Sequence, residues 1–423
     1  MSKDAPQKKT SVSEAATQSA LPVGGATPPE HPVRFRLPRA SEWETYEVTH
    51  DAADEAGRQR ASAARERLTS FLLASMQMQN LLVLTGSGTS LGVGGPSMTK
   101  LWSDCVGDVN VDSTKTLLAA LRYGSASNQR NIEELLSRCD AFLQVDPDHK
   151  DIGDFRKRAI ETILRECRKP GKDPSHDLRA HKDLLRRLAR RRARDPRLRL
   201  FTTNYDLCFE KAAGELGLVA LDGFSFSQPR RFDPRFFEYD LVRRGANPSD
   251  ATAYVAGVFQ YLKLHGSVDW ATVGEATVVD ADVDASRACL IYPATTKFRL
   301  SFQQPHLELM AQYLSALREP STCLLVIGFG FSDAHIAEPL LSAMETNPHF
   351  RAVIVSPNVE KHVATAKADS YWPRIVDLID RGADISFVAA DFPGFVHLVP
   401  DLKALNPAEQ LQRAVKNIAG GGE

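Results

Sequence analysis

Short apolar runs that stop abruptly at glycine or a polar residue recur along this chain, and they restrict what it can fold into. Leu200-Phe201-Thr202-Thr203-Asn204-Tyr205-Asp206 begins apolar and turns polar within one step. Asn80-Leu81-Leu82-Val83-Leu84-Thr85 empties into Gly86-Ser87-Gly88-Thr89-Ser90, and Val258 to Leu264 ends in His265-Gly266-Ser267. Cys323 to Ile327 ends in Gly328-Phe329-Gly330-Phe331-Ser332-Asp333, Ala352 to Val355 in Ser356-Pro357-Asn358, and Ile385 to Val388 near Asp391. Helical periodicity separates several of these runs. Strands alternating with helices predict an α/β, Rossmann-like, mostly parallel sheet with helices on both faces. Ligands of such sheets sit outside the carboxyl ends of the strands, which puts Gly86, Asn204, Gly328 and Asn358 on one rim. His265 joins them if its strand runs the same way.

A chain of 423 residues with 43% hydrophobic residues can hold one large α/β domain with an insertion. Lys+Arg 52 against Asp+Glu 53 leaves no overall bias toward nucleic acid or membrane. The six cysteines form no C-x-x-C pair, so a zinc ribbon or disulfide framework is not expected, and neither is any metal. No apolar run approaches a bilayer span, and the amino terminus lacks an apolar h-region, so a cytoplasmic protein without membrane contact is expected.

Residues 1–57 read as a disordered or extended segment, with Met1 to about Ala40 rich in Ser, Ala, Thr, Pro and Gly. Residues 58–400 read as the main domain. Its first helix is expected from Arg58 to Met78, and another begins near Pro96. Residues 104–196 show helical periodicity without a convincing strand and read as a helical insertion, with an Asn131-capped start before Ile132. A further helix is expected from Asp206 to about Leu216. Residues 401–423 read as a tail with a helix near Pro407 to Ile418.

Each motif has two readings. The glycine loop is either an ordinary strand-to-helix turn or a cradle whose backbone N–H groups approach phosphate. It is neither a Walker loop nor G-x-G-x-x-G. Asp206 either caps the next helix or serves the site; Asn204, directly after an apolar strand, could fix a carboxamide or a water. His265 is either a satisfied core histidine or a base. The Arg179 to Arg199 stretch is either a solvated helix face, with Leu184, Leu185 and Leu188 inward, or a contact for nucleic acid or an acidic partner.

Taken in order, Gly86-Ser87-Gly88-Thr89-Ser90, Thr203-Asn204-Tyr205-Asp206, Leu264-His265-Gly266 and Gly328-Phe329-Gly330-Phe331 resemble the motifs of sirtuin-like (Sir2 family) NAD-consuming proteins. The resemblance spans roughly Leu81 to Asp391. It implies that Gly86, Ser87, Gly88, Thr89 and Ser90 bind the NAD diphosphate, and that Thr203, Asn204 and Asp206 shape the nicotinamide and water pocket. It implies His265 as general base, and Gly328, Phe329, Gly330, Ser356, Asn358 and Asp391 on the adenosine side.

Protein deacylases of the family carry a four-cysteine zinc module, which has no counterpart here; Ser87, Thr203 and Tyr205 also depart from the usual pattern. The chain looks closer to the bacterial branch that hydrolyses NAD in antiphage defence. The resemblance then implies an NAD glycohydrolase with water as nucleophile, controlled by homo-oligomerisation or by a separate partner such as a HerA-type ATPase. Nucleic acid would be reached only through such a partner or the basic stretch. The alternatives are an NAD-dependent protein deacylase and a non-catalytic scaffold that binds NAD or ADP-ribose.

Overall fold

The computed structural model describes residues 32–46, 55–124, 130–173, 175–191, 195–245, 253–290, 304–368 and 370–401. Twelve strands are present among them: β1 (Val33–Arg36), β2 (Glu44–Tyr46), β3 (Asn80–Thr85), β4 (Arg199–Thr202), β5 (Val219–Leu221), β6 (Val258–Lys263), β7 (Gly266–Val273), β8 (Ala276–Val279), β9 (Ala288–Leu290), β10 (Thr322–Ile327), β11 (Phe350–Val355) and β12 (Asp384–Ala389). Nine form one sheet in the order β2-β1-β12-β11-β10-β3-β4-β6-β5, and β8-β7-β9 form a smaller antiparallel one. From β12 to β5 every neighbouring pair is parallel.

The two central strands, β3 and β10, are buried along their whole length because both faces are covered, and their interiors are accordingly apolar. Alternate side chains of β3 divide between two cores: Leu81 and Val83 pack with Leu200, Leu325 and Val353 on one face, Leu82 and Leu84 with Phe201, Leu324 and Ile354 on the other. The chain leaves β3 toward β4 on one side, while β10 leads to β11 and β12 on the other. That reversal, between β3 and β10, opens the crevice in which doubly wound sheets hold ligands.

Val33–Arg36, in the segment expected to be disordered or extended, forms β1, antiparallel to β12. Val33 and Phe35 are buried while Arg34 and Arg36 point outward, so a period-two pattern too short to dominate its surroundings supplies the sheet edge. The first helix runs Glu55–Met76. The next, expected near Pro96, starts two residues on at Met98, where the Ser97 hydroxyl accepts from Lys100 N at 3.1 Å and caps it. The helix expected from Asp206 runs Cys208–Glu215. The expected helix near Pro407 lies outside the described residues.

The helices Met98–Val106, Ile132–Val145 and Lys150–Cys167 pack around a core of their own, including Trp102, Leu135, Leu136, Phe155 and Ile163. Tyr205, Val268 and Ala285 join it from the side of the sheets. In the arginine-rich stretch Leu184, Leu185 and Leu188 are buried as expected. Two arginines turn inward instead of facing solvent. Arg187 donates to the carbonyls of Val399, at 2.6 Å, and Val396; Arg191 donates to those of Met78 at 2.7 Å and Gln79 at 2.9 Å. Both satisfy acceptors around helix carboxyl ends, where intrahelical donors are missing. Arg192 and Arg194 lie outside the described residues.

Candidate active site

The strand ends meet as the parallel order requires. Gly86 N donates to Ile327 O at 3.1 Å and Gly88 N to Gly328 O at 3.0 Å, so the loops after β3 and β10 touch backbone to backbone. A Cβ on Gly86 would meet Gly328 O at 2.7 Å and Phe329 Cα at 2.8 Å, and one on Gly88 would meet Gly328 Cα at 2.6 Å. Gly328 also adopts φ +64, which favours glycine. The glycines are thus explained by loop-on-loop contact. The expected cradle of free amides is not what this loop presents, because Thr89 N and Ser90 N also donate internally, to Gly86 O and Ser87 O at 3.0 Å each.

A cleft of about 360 Å³ opens beside these loops, lined by Gly86, Ser87, Ser90, Thr203, Asn204, Asp206, His265, Phe329 and Gly330, together with Arg130, Asn131 and Glu133 of the insertion. Asn204 sits just past β4. Its Nδ2 lies 3.0 Å from Gly86 O, 3.1 Å from Thr89 Oγ1 and 3.0 Å from Ser90 Oγ. The Gly86 carbonyl accepts only, which settles which end of the amide is nitrogen. Ser90 Oγ donates to Asp206 Oδ2 at 2.7 Å, and Asp206 Oδ1 accepts from Cys208 N at 3.0 Å. Asp206, one residue before the Leu207 cap, therefore satisfies the first amide of the Cys208–Glu215 helix and also fixes Asn204 through Ser90.

Lys263, the last residue of β6, is buried beneath the same loop. Its ammonium donates to Glu210 Oε1 at 2.7 Å and to the carbonyls of Tyr205, at 3.3 Å, and Asp206. Burial pushes its pKa down, but Glu210, Asp269 and Asp206 raise it above the ordinary value, so the cation is kept. It ties the backbone of the Asn204 motif to the floor of the sheet.

His265 follows β6, which runs parallel to β4, so it reaches the same rim. It is 1% exposed. Its Nε2 lies 3.0 Å from His335 Nε2, and its Nδ1 lies 3.7 Å from Glu133 Oε1, an ion-pair distance. Tyr205 donates its hydroxyl to the same Glu133 oxygen at 2.6 Å. Burial pushes the His265 imidazole down, but Glu133, then Asp333, outweigh it and hold the ring above its ordinary value. Burial, with the charges of His265 and His306, pushes His335 down to about 2, so His335 is the neutral ring of the pair. Burial and Glu133 push Asp333 up to about 6, against the pull of His265.

Glu133, His265 and Asp333 each bring one ligand-type atom within 4.8 Å of the others. The donor set suits a small divalent cation, and because the two carboxylates raise the His265 pKa, a proton on the ring competes with an ion for that place.

Ser356 and Asn358 follow β11 on the carboxyl rim but are not part of the cleft wall; Asn358 N donates to Ser356 Oγ at 3.3 Å. Asp391 accepts from Gly394 N at 2.9 Å and caps the Phe392–Leu398 helix. Gly88, Thr89 and Gly328 stand one layer behind the wall. Sequence reasoning missed Glu133, Lys263, Asp333 and His335. Lys263 left a trace, a charge inside an apolar strand. Glu133 left none, since a carboxylate in a helix's first turn also suits the dipole.

The SIR2-like domain family matches residues 198–373, under half of the chain, from the start of β4 to past the Gly328 loop. The match includes Asn204, His265 and Gly328 and leaves the Gly86 loop outside. No curated protein matches the chain. Among solved structures, a Sir2 homolog–NAD complex is similar at 13% identity and TM-score 0.39, covering 82% of this chain and 94% of that one. Sir2 bound to acetylated peptide is similar at 13% identity and TM-score 0.37, covering 78% and 96%.

Proposed function

We propose that this chain is an NAD glycohydrolase that cleaves the nicotinamide–ribose bond and releases nicotinamide and ADP-ribose, as an antiphage effector. One observation carries the reading: Gly86, Asn204, His265 and Phe329, far apart in sequence, line one cleft at the switch point between β3 and β10. The SIR2-like match across three of those four positions supports it.

In the reaction the C1′–N bond breaks with its electron pair passing to the pyridinium ring, which leaves as neutral nicotinamide. Water adds to C1′ of the ribosyl cation and gives up a proton. Asn204, with its Nδ2 engaged by the Gly86 loop, holds the water and the carboxamide through its remaining acceptor. His265 takes the proton at Nε2, which requires the His335 contact to yield. The loop residues Gly86, Ser87 and Ser90 face the diphosphate, and the Gly328 to Gly330 turn, with Ser356 and Asn358 beyond it, the adenosine. Homo-oligomerisation or a HerA-type ATPase partner would restrain an activity that depletes a shared cofactor.

The test is product analysis with purified protein and NAD. Free ADP-ribose with equimolar nicotinamide is expected. Acylated ADP-ribose formed only with acyl-peptide would make it a deacylase, and binding without turnover a scaffold. Asn204→Ala should lower nicotinamide release by about 10²–10³-fold, the cost typical of losing one preorganised polar group at a reacting centre, while the protein stays folded.

A further inference from the structure

The insertion reaches the catalytic histidine with a carboxylate. Glu133 stands in the first turn of the Ile132–Val145 helix, where Asn131 Oδ1 accepts from Glu133 N at 2.9 Å and fixes the turn. The residue is 4% exposed. Oε1 accepts from the Tyr205 hydroxyl at 2.6 Å, and Oε2 is buried with no hydrogen-bond partner among the described residues. An unmatched buried carboxylate oxygen is costly unless a nearby cation offsets it. The His265 ring, 3.7 Å away, is the neighbour able to do so.

We propose that Glu133, steadied by Tyr205, is a positioning residue for His265: it keeps the proton on Nδ1 and the ring edge turned to the insertion, so that Nε2 is the nitrogen that accepts a proton. The catalytic half of this inference rests on the NAD reading; the tautomer half does not. It gives Tyr205, a departure from the sirtuin pattern, a function, because its hydroxyl selects the carboxylate's orientation. The logic is that of a carboxylate behind a catalytic imidazole, which sets the tautomer and steadies the imidazolium without taking the proton itself.

Other charges also face the ring: Asp333 and His335 at the start of the Ala334–Thr346 helix, and His306 at the start of the His306–Arg318 helix. Removing Glu133 leaves Asp333 as the acid favouring the imidazolium, against burial, which disfavours it. The ring should then lose its proton at lower pH.

Glu133→Gln is the informative variant, because the amide oxygen still accepts from Tyr205. In full-length protein, kcat for nicotinamide release should fall about 10²-fold, within the range for general acid–base assistance. KM should stay within about threefold, since a residue acting through His265 affects the barrier and not ground-state binding. The acid limb of the kcat profile should move to lower pH. Glu133→Asp should restore part of kcat, and Tyr205→Phe should lower kcat in the same direction by less. Wild-type kcat in Glu133→Gln, or a loss with an unmoved acid limb and a lowered melting temperature, overturns the proposal.

The tautomer is read separately from turnover, by ¹⁵N-histidine NMR with His265→Ala assigning the signal. Nδ1–H is expected in the wild type, and a downward shift of the His265 titration in Glu133→Gln. An Nε2–H ring in the wild type, or the same titration in both proteins, overturns the proposal whether or not NAD is cleaved. Absence of NAD turnover with the tautomer as expected overturns the NAD reading alone.

Discussion

The two lips of the cleft are built by different means. On the sheet side, the loops after β3 and β10 lock through main-chain hydrogen bonds, and glycine is needed because any side chain would strike backbone. On the insertion side, Arg130, Asn131 and Glu133 hang from a helix that rests on its own hydrophobic core. The first lip is a consequence of the fold, and moving it means moving the sheet. The second can vary its side chains while its core stays packed, so the residues that tune chemistry can change without loss of the architecture that binds. Tyr205 and Glu133 are where the lips join.

The largest effect is expected from Lys263→Met. Removing a buried cation from Glu210 and two carbonyls should destabilise by about 3–5 kcal/mol, the range for breaking a buried charge pair. Because Lys263 belongs to the sheet lip, unfolding should stay a single transition in thermal melts. A melt in which only the insertion loosens would contradict the division drawn here.

Leu136→Ala probes the other lip. Leu136 is fully buried in the insertion core, and its truncation should cost about 2–5 kcal/mol. Hydrogen exchange should rise first in the Ile132–Val145 helix while β3 and β10 keep their protection. Equal deprotection of both regions would merge the two lips into one cooperative unit.

Gly86→Ala should cost about 1–3 kcal/mol, as overpacking does, because both atoms met by the new Cβ are backbone. A melting temperature equal to wild type would show that the loop contact is looser than the distances indicate. The smallest effect is expected from chelation: EDTA should leave nicotinamide release unchanged, and a loss restored by Mn²⁺ or Zn²⁺ would place an ion among Glu133, His265 and Asp333.

The sheet lip was readable from sequence because each parallel strand is an apolar run ending at a polar or glycine residue, and strand ends of one direction share a rim. That logic brought together Gly86, Asn204 and, with β6 parallel to β4, His265; it also named Gly328 and Asn358, which do not line the cleft. The insertion lip was not readable, because a helix's periodicity reports its core face and says nothing about which first-turn carboxylate meets a histidine 132 positions later. The β1 edge was missed for a similar reason: its partner β12 lies at the other end of the chain. The glycine loop was found by composition, and of its two readings the turn is the one that explains its glycines, since the amides of Gly86, Gly88, Thr89 and Ser90 bond within the protein.

Two carboxylates facing one imidazole at the inner wall of the cleft also bear on how the pocket empties. On the NAD reading, positive charge is moved in the reaction and not created: the pyridinium gives it to the ribose, which holds it until water adds. A fixed negative wall attracts a cation on both sides of that barrier. Nicotinamide leaves without charge, so the wall that attracts the pyridinium of bound NAD has no electrostatic hold on the ring once it is released.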